Sequence, residues 1–432
     1  MKILLKNCLV LQAGEKTVTA AGGLNIVVHN SIIEYIGKEI PDERFDSVKD
    51  MSGKLVMPGL YNCHTHSSMV LLRGVGSGLP LNDWLFKAIF PVEDKLTEND
   101  IKAGSELAAL EMISGGTVSF SDMYFFPKKT AEVVLESGIK ANICRPVQSF
   151  DPDEKPENCY RIAESEALFK EYNGAGDGRL LVDFCVHAEY TCNPQVVRAY
   201  SEICRNYNGN MHIHLSETEK EQRECIEKYG VTPAKWFDSL GAFDSDAFAA
   251  HCVVLTEEDA EILKNRGVSI VHNPTSNMKL GSGFAPISRY MDMGMNIALG
   301  TDGAASNNNL DMFEEMHLSS VIHNGFMRNA TAVNASEIIN AATVNGAKVQ
   351  RRAKCGKIAE GYRADIIALS LDTPHMQPCL DPVSSVVYSA QASDVCLTMC
   401  DGKILYENGE FLTLDKERIL FDVTKSVKRL YK

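Results

Sequence analysis

The chain has 432 residues, of which 45% are hydrophobic and 23% charged. That is ample core for a soluble globular protein, too long for one small domain and long enough for a large barrel with an appended second domain. A net charge of -14 and the lack of long lysine or arginine clusters argue against nucleic acid or an acidic membrane as partner, because no surface competes for phosphates; a small-molecule substrate is favoured.

The N-terminal apolar run is broken at Lys6 and Asn7, short of the continuous core of a secretory signal, and no later stretch has the roughly twenty apolar residues needed to cross a bilayer. The 13 cysteines are odd in number, scattered, and never spaced Cys-x-x-Cys. This suits buried thiols in a reducing compartment better than a disulfide framework, so a cytoplasmic location is expected.

In chain order, Lys2 to Leu11, Gly23 to His29 and Ser31 to Gly37 read as short strands joined by Asn/Ser/Gly turns. The same texture returns at Ala364 to Leu369, Val395 to Met399 and Lys403 to Phe411. Two β-rich ends around a long middle predict one discontinuous β-domain, a small β-sandwich over 1–56 plus 357–432. The middle, 57–356, alternates apolar strands with helical patterns such as Ile101 to Ser114. Its candidate strands are Lys54–Met57, Thr117–Asp122, Ala141–Val147, Leu180–His187, Met211–Leu215, Ala247–Val253, Ser269–His272 and Asn296–Thr301. About eight βα units close a (β/α)8 TIM barrel, so the expected class is α/β.

Nearly all these strands finish on, or just before, a group able to bind metal, carry a proton or hold an anion: His64 and His66, Asp122, Arg145, His187, His214, His251, His272 and Asp302. In a parallel barrel the C-terminal strand ends share one face, where such enzymes keep their chemistry. Taken singly, each could simply satisfy a loop backbone group; taken together, they form a ring.

Three motifs stand out. His64-Thr-His66 ends an apolar run, and alternation along an extended chain turns both imidazoles the same way, half of a tetrahedral zinc site. In Met211-His-Ile-His-Leu-Ser-Glu217, His214 is the expected ligand and His212 packs behind it, while Glu217 lies where the chain leaves the strand. In Leu299-Gly-Thr-Asp-Gly303, the glycines free the backbone and Asp302 can offer one oxygen to metal and another to water.

Pro58 to His66, His214-Leu-Ser-Glu217, Ala250-His251 and Gly300-Thr-Asp302 resemble the amidohydrolase superfamily in its mononuclear nucleobase-deaminase branch, with 5'-methylthioadenosine/S-adenosylhomocysteine deaminases the nearest match. The resemblance covers nearly the whole chain. It implies metal ligands His64, His66, His214 and Asp302 around one divalent ion. Three imidazoles and a carboxylate suit zinc first, with iron, manganese and nickel as alternatives. Dinuclear relatives use a modified lysine from the fourth strand, and Leu180 to Tyr190 contains none.

The resemblance further implies hydrolytic deamination of a 5'-modified adenosine, with Glu217 as proton shuttle to the ring, Asp302 accepting a proton from water and His251 steadying the nucleophile. Glu93, in the segment from Trp84 to Asp94, falls where the family clamps ribose hydroxyls, and a carboxylate can accept from two vicinal hydroxyls at once. Arg145, Arg161 and His187 fall on substrate-contacting positions, and either guanidinium suits a carboxylate in the substrate tail. Trp84 could wall the pocket for a thioether. The expected partners are a purine nucleoside and further copies of the same chain. Guanine or oxidised-purine deamination, triazine hydrolysis, and a catalytically silent metal-binding scaffold are the competing readings.

Overall fold

In the computed structural model, which describes residues 1–14 and 17–432, the chain begins with an antiparallel meander of Lys2–Ala13, Val18–His29 and Ile32–Gly37. Lys54–Pro58 then runs parallel to the first strand, and Ile366–Ser370, Val395–Cys400, Lys403–Glu407 and Glu410–Phe411 follow in antiparallel succession. The two ends of the chain thus share one nine-stranded sheet. Side chains alternate across it: Ile366 and Ala368 join an apolar cluster with Ile3, Ile26 and Val28, while Ile367 and Leu369 face the main core.

One expected strand belongs elsewhere. Lys54 to Met57, expected as the first strand of the middle region, pairs instead with the terminal strands, and Leu60–Thr65 opens the parallel series. The apolar run is continuous across both. Gly59 separates them where a Cβ would lie 2.3 Å from Val118 Cγ1.

The parallel series contains Leu60–Thr65, Thr117–Met123, Lys140–Cys144 and Leu180–Val182 in one sheet. A second holds Pro146–Val147, Phe184–Val186, Asn210–Leu215, Asp246–His251, Ser269–His272 and Ile297–Leu299. The third and fourth expected strands bridge both sheets, each interrupted by one residue, Arg145 and Asp183. Last meets first through Asp302 N donating to His64 O at 2.9 Å and Thr301 N donating to Asn62 Oδ1 at 3.0 Å. Gly300 permits that approach, since a Cβ there would sit 2.8 Å from His64 N. Its role is therefore close packing, not the free backbone expected from the sequence.

Helices such as Glu98–Ser114, capped reciprocally by Thr97 and Asp100, alternate with these strands. An amphipathic helix, Lys416–Leu430, closes the chain and ties to Glu98–Ser114 through Arg418 and Glu106 at 2.9 Å. Beneath the parallel strands, Lys140 pairs with Asp365, and with Asp401 at 2.7 Å, all three side chains being buried. Arg363 balances Asp401 at 2.6 Å. No helix among the described residues is long and apolar enough to cross a membrane.

Candidate active site

At the C-terminal ends of the parallel strands, His64, His66, His214 and Asp302 come together from three places in the sequence. The Nδ1 atoms of His66 and His214 face carbonyl oxygens, of Met123 at 2.6 Å and of His187 at 2.8 Å. A carbonyl only accepts, so both Nδ1 atoms carry a proton and both Nε2 atoms face inward. His64 Nδ1 is paired with His212 Nε2 at 2.8 Å, which leaves its buried Nε2 with no hydrogen-bond partner. His212 thus stands behind His64, not behind His214 as expected, and is stacked on Phe248.

Three of the inward separations are short. His66 Nε2 lies 3.3 Å from His214 Nε2, and Asp302 Oδ1 lies 3.2 Å from His66 Nε2 and 3.4 Å from His64 Nε2. A tetrahedral ion with bonds of ~2.0–2.1 Å has ligand-to-ligand edges of ~3.3–3.4 Å. The three short edges match that geometry, and the ligand atoms of His64, His66 and His214 lie within 4.8 Å of one another, as do those of His64, His251 and Asp302, a donor set that fits a divalent cation.

Electrostatics agree. Burial drives His64 down to about 4 against the pull of Asp302, and drives His214 well below the ordinary imidazole range, so both are neutral. Burial also opposes charge on His66, but the Asp302 carboxylate and the Met123 carbonyl outweigh it and raise the ring to about 9. Asp302 is itself held far below the usual carboxylate range, since His64 and His66 overcome its desolvation. The carboxylate thus gathers positive charge at this point, and a cation would take the place of the His66 proton.

Glu217, 6% exposed, is raised by burial, with the neighbouring His251 acting against that rise. Its Oε1 accepts from Ser282 Oγ at 3.0 Å, and Oε2 lies 3.7 Å from His251 Nε2. Glu221 cradles the backbone, accepting from the Ser216 and Glu217 amides at 2.6 Å each. Ser216, His251 and Asp302 all adopt positive φ, of 48°, 73° and 62°. Such backbone costs about 1–3 kcal/mol per residue and persists where surrounding structure enforces it, as at working sites.

The other expected residues divide between two adjoining chambers. His187, Trp84 and Glu93 line an inner cavity together with His66, His214, Asp302 and Glu217. Arg145 and Arg161 line only an outer, larger cavity of about 820 Å³ that shares Phe90, Glu93, Phe125 and Gln148 with the first. Glu93 Oε1 accepts from Tyr124 at 2.7 Å; Arg145 pairs with Glu164 at 2.7 Å, and Arg161 donates to Gln148 O at 3.2 Å.

Sequence reasoning missed the supports. Asp302 Oδ2 accepts from Ser276 at 2.6 Å and Ser306 at 2.9 Å, which aims Oδ1 at the histidines. Ser276 and Asn277 could have been suspected from the polar run Asn273-Pro-Thr-Ser-Asn277 directly after the seventh expected strand. Glu221 carries no such signal, because it sits on an ordinary charged helix, Glu219–Tyr229.

Residues 55–405 match the model of the amidohydrolase family. The chain is 42% identical, over all of both proteins, to a 5-methylthioadenosine/S-adenosylhomocysteine deaminase of Acetivibrio thermocellus. It is 40% identical to a 5'-deoxyadenosine deaminase of Methanosarcina mazei, covering 99% of this chain and 98% of the other. Among solved structures, an adenosine deaminase of Xanthomonas campestris with bound zinc superimposes with a TM-score of 0.93 at 30% identity, over 99% and 98% of the two chains. On the extent of these matches, the chain belongs to the amidohydrolase family.

Proposed function

We propose that this protein hydrolytically deaminates 5'-modified adenosines, such as 5'-methylthioadenosine, S-adenosylhomocysteine and 5'-deoxyadenosine, to the inosine analogue and ammonia. The observation that carries the reading is the pair of joined chambers: an inner one with proton carriers at its base and a wider one containing two guanidinium groups. The purine fits the first, and the 5' substituent extends into the second. The names of the full-length relatives support the substrate class.

His64, His66, His214 and Asp302 would hold one divalent cation, zinc being the first choice for three nitrogens and an oxygen. Such an ion, when bound, acidifies a coordinated water towards a pKa of about 7 and makes it nucleophilic near neutrality. The chain's residues do the rest. Glu217 delivers a proton to ring N1 and then helps the exocyclic amine leave; its raised pKa keeps a proton available. Asp302 accepts a proton from the attacking water. His251 steadies that water and the charge that forms as the ring carbon becomes tetrahedral. Glu93 binds the ribose hydroxyls through the oxygen that Tyr124 leaves open, His187 and Trp84 position the nucleoside, and Arg145 or Arg161 pairs with a tail carboxylate.

The parallel strands are read as the closed (β/α)8 barrel, and the terminal sheet as a β-sandwich folded over its own apolar cluster. We keep the proposed division of the chain but move its first boundary to Gly59, because Lys54–Pro58 pairs within the terminal sheet. A homo-oligomer in the cytoplasm completes the proposal.

Ammonia release across adenine nucleosides, guanine and a triazine tests the substrate class; turnover confined to guanine or triazine would overturn it. Two variants test the assignments. Asp302→Ala is expected to lose both the cation, measured by elemental analysis, and activity, and an active variant with full metal would remove Asp302 from the site. Glu93→Ala is expected to raise KM for nucleosides about 10-fold or more while leaving free adenine unaffected, as loss of a charged hydrogen-bond acceptor costs about 1.5–3 kcal/mol. Equal losses for nucleoside and base would contradict the clamp.

A further inference from the structure

Behind His251 lies a group of polar atoms with no part in the chemistry described so far. His251 Nδ1 is 2.8 Å from Asn277 Oδ1, and both residues are buried. The other amide atom, Asn277 Nδ2, has no hydrogen-bond partner, nor does either ring nitrogen of the buried His272. Asn277 and His272 border a separate small cavity, about large enough for one water molecule, together with Pro274, Met278, Gly283, Phe284 and Ile322. Burial depresses His272 well below the usual imidazole range, so the ring is neutral and keeps one bare nitrogen.

We propose that Asn277 is a positioning residue that sets the tautomer of His251, and that a water held between Asn277 Nδ2 and His272 in this cavity fixes the amide's orientation. The cavity walls are mostly apolar, but a single water bridging the unpaired Asn277 Nδ2 and a His272 ring nitrogen would satisfy both buried groups. With Nδ2 engaged there, Oδ1 faces His251 and accepts its Nδ1 proton. Nε2 then offers a lone pair to the water that adds to the ring. The opposite tautomer would aim an Nε2–H at Glu217 Oε2 across 3.7 Å, beyond useful hydrogen-bond length. The local chain supports the arrangement: Asn277 lies in the helix Pro274–Lys279, and its own carbonyl accepts from the Ser282 and Gly283 amides at 2.8 and 3.3 Å. The loop carrying Ser282, which contacts Glu217, is thereby tied to the residue that orients His251.

This inference rests on the deaminase reading for its kinetic arm and is independent of it for its spectroscopic arm. Nitrogen-15 NMR of histidine-labelled, metal-loaded protein without substrate should show the His251 proton on Nδ1. Asn277→Leu, similar in volume but without an acceptor, should shift the proton populations of that ring and lower kcat on 5'-methylthioadenosine by about 10–100-fold with KM nearly unchanged, the usual cost of removing the group that orients a working imidazole. Asn277→Asp, which keeps an oxygen acceptor, should recover most of the rate and the Nδ1–H signal. A wild-type His251 protonated on Nε2, or an Asp variant as impaired as the Leu variant, would overturn the proposal. If Asn277→Leu does not fold, the wild-type spectrum and the Asp variant still decide it. A wild-type protein inactive on the nucleoside would instead refute the substrate reading and leave the tautomer result standing.

Discussion

Changing Glu217 to glutamine is expected to lower kcat by about 10²- to 10⁴-fold, the range lost when a positioned proton carrier is removed, while bound metal stays at its wild-type level. The side chain is nearly isosteric and still accepts from Ser282 through its carbonyl oxygen, so the pocket keeps its shape. What disappears is the exchangeable proton. Glu217 is the buried carboxyl of the inner chamber best placed to carry it, since burial raises its pKa, Glu221 fixes its backbone, and His251 Nε2 stands 3.7 Å away. Its partner acid in the chamber, Asp302, is pulled the other way by two histidines and remains ionised. Two carboxylates with opposed environments take opposite proton roles. Steady-state rates with metal analysis on the same preparation check this; a variant of near-normal rate would remove Glu217 from proton transfer.

Lys140→Met should destabilise the protein by about 3–5 kcal/mol, the usual cost of removing one partner from a buried ion pair. Lys140 enters from the parallel strands, whereas Asp365 and Asp401 belong to the returning C-terminal segment, so the variant leaves carboxylates buried at the junction of the two sheets. Tyr61 and the Asp401 amide, both 2.9 Å from Asp365, cannot supply the missing charge. The pH dependence has a definite sign. Burial alone would raise Asp365, but Lys140 overcomes it and holds the carboxyl below its ordinary value. Its contribution is therefore present above the unfolded pKa of about 3.9 and lost as pH falls through the lower folded value. Burial likewise opposes charge on Lys140, but Asp365 and Asp401 raise its pKa, so its contribution is full below about 10.4 and lost as pH rises through the folded value. Urea midpoints of wild type and variant should differ most at and above neutral pH and draw together as pH falls, first through the raised Asp365 value of the variant and then through the lowered value of the wild type. A difference under about 1 kcal/mol at neutral pH would show the junction to be held by packing alone.

The four converging groups are legible in the sequence because each sits at a strand end, and strand ends are marked by apolar runs that stop. The supports are less so: the polar run after the seventh expected strand hints at Ser276 and Asn277, whereas Ser282, Ser306 and the helical Glu221 have no distinctive spacing. The helix Lys416–Leu430 escapes notice, although Ile419, Val423, Val427 and Leu430 recur at helical spacing, because it follows directly on the β-rich texture of the tail. The first parallel strand is displaced because Leu55 to Tyr61 is apolar almost throughout, and nothing local tells a strand that pairs with the termini from one that opens the barrel. Arg145 and Arg161 do line a cavity, but no local signal shows that they border the outer chamber and not the inner one.

The most direct test is to titrate zinc into metal-free protein while following conversion of 5'-methylthioadenosine to the hypoxanthine spectrum. Activity should be absent at the start, rise linearly, and level off at one equivalent per chain. Full turnover before any metal is added, or a plateau reached only at two equivalents, would contradict a single cation held by His64, His66, His214 and Asp302.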